Sequence, residues 1–236
     1  MEVAPIPSLA GVDASKHRDV SLAKQLGLFG RAELVSLFYE DLSVWDALSA
    51  SVPKSLASAA NKRRREFAAG RQCAYTALHR AGCSIGNWLS IGKDQLPVWP
   101  HGWLGSISHN ERGAVAAVSR KDVLTLLGID IERLQEDQPW LDIQHLIVSG
   151  DELAVLGSLT LAKAICLAFS AKESLFKAFY PTVRSFKDFT AARIVALGPA
   201  SLELILTEPW GKQSEGSVLE VSYVFAFGHV FTAVAR

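Results

Sequence analysis

The stretch Leu127–Arg133, Leu-Gly-Ile-Asp-Ile-Glu-Arg, constrains the fold of this 236-residue chain more than any other. Its apolar and polar residues alternate with the period of two that belongs to a β-strand. Leu127, Ile129 and Ile131 then turn towards a core, and Gly128, Asp130 and Glu132 turn the other way. Two carboxylates roughly 7 Å apart on one strand face suit a hard cation such as magnesium, which takes oxygen ligands and often phosphate. The same stretch fits a half-exposed strand showing ordinary charges to water, and alone it does not choose between the two.

The rest of the chain narrows the choice. The formal net charge is zero, so no global field draws the protein to nucleic acid or to a membrane surface. Recognition of an anion has to come from local clusters. Cys73, Cys83 and Cys166 form no C-x-x-C pair, which argues against a disulfide framework or a zinc site and for buried thiols in a reducing compartment. The first ten residues lack the basic start and apolar centre of a secretory signal, and no run reaches the ~18 apolar residues of a membrane span. The expectation is a cytoplasmic protein with no membrane span and no nucleic-acid partner.

Residues 1–30 read as a polar entry segment, followed by a short strand at Leu34–Tyr39. A long helical pattern runs from Lys54 to about Ala81, with Gly82 as its terminator and Leu56, Ala60, Phe67, Ala74 and Leu78 as its apolar stripe. Arg64 and Arg71 fall on that stripe, and Gly70 interrupts the helix at a cost of about 1 kcal/mol against alanine. These anomalies predict a backbone or an anionic ligand approaching closely at this turn. An inward Arg71 needs a partner, and a phosphate serves a guanidinium bidentately. Most of the run Lys62–Arg65 reads as a solvated face. Trp99, between Pro97 and Pro100, either lines a pocket for a flat ligand or caps a core, the commoner fate of tryptophan.

Leu104–His109 alternates like a strand, with Ser106 and Ser108 on one face and Ile107 and His109 on the other. A lone histidine in such a strand is more often structural. Gly113–Ser119 reads as a buried strand that pairs with Val123–Glu132 in a hairpin. Pro139–Gly150 reads as a connecting segment, and Ser149 with Glu152 forms a capping-box pattern opening a helix to Leu156. A strong helix follows from Leu159 to Tyr180, ended by Pro181. Glu173 and Lys177, four apart on one face of it, meet either the same ligand or each other. The remainder is β-like: Ala191–Leu197, Leu202–Thr207 and Val218–Ala235, the last broken near Gly228-His229.

Three segments together, Gly105-Ser-Ile-Ser-His109, Gly128-Ile-Asp-Ile-Glu132 and Ser170-Ala-Lys-Glu-Ser-Leu-Phe-Lys177, resemble the 4′-phosphopantetheinyl transferases in sequence and order. The Lys62-Arg63…Glu66-Phe67…Gly70-Arg71 helix and the Pro97-Val98-Trp99-Pro100 turn resemble the bacterial subgroup that serves siderophore synthetases. Phe169 stands where the family's helix motif often has tryptophan, one large apolar anchor for another. The resemblance implies an α+β fold of two similar α/β halves, related by a pseudo-twofold, with the active site between them. Residues 1–125 would form the coenzyme A-binding half and 126–236 the metal-binding half.

It further implies transfer of the phosphopantetheine arm of coenzyme A to a serine of an acyl or peptidyl carrier protein domain, with release of adenosine 3′,5′-bisphosphate. By the same resemblance Asp130, Glu132 and Glu173 hold magnesium, or manganese in its place. Glu173 and Lys177 are the catalytic pair, and Arg63, Arg71, Lys93, Ser108, His109 and Lys172 contact coenzyme A. Glu173 takes the serine proton directly or by way of a water, and whether it is base, metal ligand or both stays open. The family's two-halved fold implies a monomer. Two other classes compete: a magnesium-dependent phosphodiesterase built on the same carboxylates, and a non-catalytic binder of coenzyme A or a carrier. Conversion of apo-carrier to holo-carrier separates the first reading from both.

Overall fold

A computed structural model describes residues 15–38, 52–53, 56, 58–135 and 139–236. The fold is α+β and the chain forms two units, one of residues 1–24 and 28–125, the other of 25–27 and 126–236.

In the first unit helix α1 (Lys16–Gln25) precedes strand β1 (Glu33–Phe38), helix α2 (Asn61–Arg80), and strands β2 (Trp103–His109) and β3 (Gly113–Arg120). The strands form an antiparallel sheet in the order β1-β3-β2, with α2 packed across all three. Small side chains permit the close approach: Ala68, Ala69, Ala74 and Ala77 on α2 are fully buried against Ala114 and Ala116 of β3 and their neighbours. The polar entry segment holds a helix that the sequence reading did not foresee. Buried Asp19 ties it down by accepting from the Ser36 N–H and hydroxyl at 3.0 and 2.7 Å and from Arg80 at 2.8 Å.

Helix α2 starts at Asn61 rather than Lys54, since residues 58–60 form a turn and Ala60 has an extended ψ of 146°. Lys54 itself, and Tyr39 at the end of the expected first strand, lie outside the described residues.

The second unit begins with strand β4 (Leu127–Arg133), then helices α3 (Pro139–Ile147), α4 (Gly150–Val155) and α5 (Leu161–Val183). Strands β5 (Ala192–Leu197), β6 (Ser201–Leu206), β7 (Val218–Ala226) and β8 (His229–Ala235) complete it. The sheet is antiparallel in the order β4-β8-β7-β6-β5, and α5 lies over β4, β8 and β7. The break near Gly228 is a two-residue hairpin turn, Phe227-Gly228, both residues at positive φ as such turns require.

Three expectations are corrected. β4 does not pair with β3: both edges of β3 are taken by β1 and β2, and β4 instead pairs with β8, Asp130 opposite Thr232. Residues from Pro139 form a helix, with proline at the first helical position, where its missing N–H costs nothing. Helix α5 runs through Pro181 to Val183. It closes with Arg184 in the left-handed region, whose N–H reaches the Tyr180 carbonyl at 2.9 Å. The capping box at Ser149 and Glu152 is formed as read. Among the described residues no helix is long and apolar enough to cross a membrane.

Candidate active site

The alternation read in β4 holds, and its polar face is turned inward at Gly128 and Asp130. A Cβ built on Gly128 would lie 1.9 Å from the Ser174 carbonyl oxygen and 2.7 Å from the Ala178 nitrogen, so β4 presses directly on the backbone of α5. Only glycine permits this approach. Asp130, on the same face, is 1 % exposed and accepts from Lys177 Nζ at 2.5 Å. The solvated-strand alternative is therefore excluded for Asp130, and Lys177 meets a β4 carboxylate rather than only its helix neighbour Glu173.

The electrostatics join Asp130, Glu132, Glu173 and Lys177. Burial and the charge of Asp130 push the Glu132 carboxyl up to about 9 against the pull of Lys177, with Glu173 adding to the rise. Burial also raises Glu173, with Lys177 opposing and Asp130 reinforcing the shift. For Lys177, burial works against the ammonium, but Asp130, Glu173 and Glu132 outweigh it and hold its pKa above the ordinary value. Three carboxylates thus share one lysine in a poorly solvated place, which disfavours ionisation of Glu132. A donor set of hard oxygens with surplus negative charge fits a divalent cation such as magnesium. The described side chains are not gathered into a ready-made cluster of three ligands, Lys177 taking Asp130 instead.

Five expected coenzyme A contacts lie at α2, β2 and the loop between them. Arg71 is 5 % exposed, its guanidinium 5.0 Å from the Phe67 ring centre, and its Nη1 is buried with no hydrogen-bond partner among the described residues. Burial lowers its pKa to about 10, which leaves it charged at neutral pH. His109 lies 3.8 Å from Glu66, on the β2 face turned to α2. Ser108 is buried on the opposite face of β2, as the alternation requires. Arg63 and Lys93 are exposed.

Two anomalies of the sequence have packing explanations. At Gly70 the group that approaches is the Ile107 side chain, 2.7 Å from a built Cβ. Trp99 caps the core of its unit, its ring 2.5 Å from a Cβ built on Gly105.

Lys172, the sixth expected coenzyme A contact, lies on α5. Its Nζ is turned inward to Glu152 and the Ile147 carbonyl, each at 2.7 Å. Glu152 was legible only as a helix cap. A cavity beside Glu173, lined among others by Phe176, Phe186, Lys187 and Trp210, was missed because its walls come from remote segments. Cys73 and Cys166 are buried and Cys83 partly exposed, all three free.

Comparison with known proteins gives the family of the chain. A family model described as the 4′-phosphopantetheinyl transferase N-terminal domain matches residues 52–119, and one for the 4′-phosphopantetheinyl transferase superfamily matches residues 126–227. Enterobactin synthase component D of Salmonella typhi is 38% identical over 64% of this chain and 62% of its own length. The chain thus spans less than two thirds of that relative. The 4′-phosphopantetheinyl transferase Svp of Streptomyces mobaraensis is 34% identical over 76% of this chain and 75% of its own length. The 4′-phosphopantetheinyl transferase Npt of Nocardia iowensis is 30% identical over 86% and 94%. The chain belongs to the 4′-phosphopantetheinyl transferase superfamily.

Proposed function

We propose that this protein is a monomeric, cytosolic 4′-phosphopantetheinyl transferase. It moves the phosphopantetheine arm of coenzyme A to a carrier-protein serine and releases adenosine 3′,5′-bisphosphate. The observation that carries this reading is the seating of Gly128 on α5. It turns Asp130 and Glu132 of one motif towards the helix that bears Glu173 and Lys177 of the other.

Asp130, Glu132 and Glu173 would hold magnesium, which when bound supplies neutralisation of charge on the phosphoryl oxygens. The serine oxygen forms a new bond to the phosphorus that bears the pantetheine arm. The bond from that phosphorus to the bridging oxygen breaks, and the bridging oxygen leaves with the adenosine bisphosphate. Glu173 accepts the serine proton. Lys177 stays cationic and exchanges Asp130 for a phosphate oxygen as charge builds on the leaving group. Arg71 brings a buried guanidinium whose Nη1 has no hydrogen-bond partner among the described residues, which a phosphate oxygen would satisfy. Arg63, Lys93, Ser108 and His109 are the further contacts of the coenzyme. The aromatic cavity beside Glu173 suits the flexible arm attached to the reacting phosphate.

Intact-mass spectrometry of an apo-carrier incubated with the protein, coenzyme A and magnesium tests this directly. The expected result is a gain of one phosphopantetheine that disappears when magnesium is chelated. No gain on peptide-synthetase, polyketide and fatty-acid carriers alike would exclude the transferase.

A further inference from the structure

Lys172 precedes Glu173 on α5, yet its ammonium points away from solvent. Its side chain is 4 % exposed and that of Glu152 is 5 % exposed. Lys172 Nζ donates to Glu152 Oε1 and to the Ile147 carbonyl, each at 2.7 Å. Glu152 is engaged at both oxygens. Oε1 also accepts the Ile194 N–H at 3.0 Å, and Oε2 accepts the Ser149 N–H at 2.9 Å. One buried carboxylate thereby ties the start of α4 and the edge strand β5 to a single position on α5.

Such charge-assisted bonds are directional, which apolar packing is not. Successive residues on an α-helix leave the axis about 100° apart, so a fixed direction for Lys172 fixes the direction of Glu173. The neighbouring contacts act in the same sense. Ser170 Oγ lies 2.9 Å from Thr232 Oγ1 of β8, and the Ser174 carbonyl abuts Gly128 of β4. Glu173 itself lines the cavity and lies in the field of Asp130 and Lys177.

We infer that Glu152 and Lys172 are positioning residues, a buried ion pair that aims the Glu173 carboxylate at the cation, and that Lys172 is not a ligand of the coenzyme A phosphates. The inference rests on the role of Glu173 in the transferase reading.

The test uses the full chain with coenzyme A bound. Manganese is titrated in, with free ion read by electron paramagnetic resonance, and transfer is assayed across coenzyme A concentrations. Both E152Q and K172M are expected to weaken manganese binding about tenfold, as loss of a ligand-orienting contact does, with KM for coenzyme A unchanged. Each single variant buries a lone charge, so the double variant E152Q/K172M is measured beside them. Removing both charges keeps the site packed and foldable while deleting the directional bond. Its melting temperature is expected near that of the wild type, and its manganese binding as weak as in the single variants.

A raised coenzyme A KM in K172M with manganese affinity intact would make Lys172 a phosphate ligand and overturn the inference. Wild-type manganese affinity in the double variant would reduce the pair to a stabilising contact and overturn it as well. Absence of transfer by the wild type removes the transferase reading itself. Wild-type transfer with unaltered metal binding in the variants removes only the positioning role.

Discussion

Arg71 and Glu173 carry the sharpest consequences at the scale of single residues. A buried guanidinium with a nitrogen unbonded among the described residues is held at a cost that a bound anion offsets. Arg71→Ala is therefore expected to raise the KM for coenzyme A about tenfold or more while lowering kcat less, as loss of a charged hydrogen bond of about 1.5–3 kcal/mol implies. Steady-state kinetics over a coenzyme A series checks this, and an unchanged KM returns Arg71 to packing. Glu173→Gln keeps the shape of the side chain and removes its charge. Its far-ultraviolet circular dichroism should match the wild type, with transfer down about 100-fold or more. Near-normal transfer by that variant takes Glu173 out of the chemistry. Arg71 was legible as an inward charge on an apolar stripe. The inward turn of Lys172 was not legible, because nothing in its own neighbourhood of sequence names Glu152 as its partner.

The decisive contact at the scale of elements is β4 against α5. Alternation along Leu127–Arg133 showed a strand and its two faces, and the spacing of Glu173 and Lys177 showed a helix face. That the polar face of one meets the other depends on Gly128, whose built Cβ would overlap the Ser174 carbonyl. Backbone cannot move aside as a flexible side chain can. Gly128→Ala is expected to lower stability by about 3 kcal/mol or more, the upper range for overpacking, in urea unfolding followed by fluorescence. A change below about 1 kcal/mol would show that the two elements separate easily. Gly70 is the instructive contrast, a glycine read as room for a backbone or an anionic ligand and met instead by the Ile107 side chain.

The whole molecule couples these local devices to ligand. Carboxylates that raise one another's pKa in the second unit are relieved by a divalent cation, so magnesium should favour the folded state. At a hundredfold excess over Kd the stabilisation is about 2.7 kcal/mol. Differential scanning calorimetry should show a higher Tm with magnesium and coenzyme A than with coenzyme A alone, and Glu132→Gln should remove most of the difference. An equal magnesium shift in that variant would mean the ion binds elsewhere. By itself the sequence determined the periods: strands at 104–109, 113–119 and 127–133, the long helix bearing Glu173, the Ser149 cap and the hairpin break near Gly228. Those features depend on neighbouring residues, whose side chains repeat with the geometry of the backbone. Tertiary structure alone decided that β4 joins β8 rather than β3, that Asp130 is dry, that Ile107 fills the space at Gly70 and that Lys172 turns to Glu152. Each of those outcomes is a competition among partners far apart in the chain, settled by which packing buries the most apolar surface without stranding a polar group.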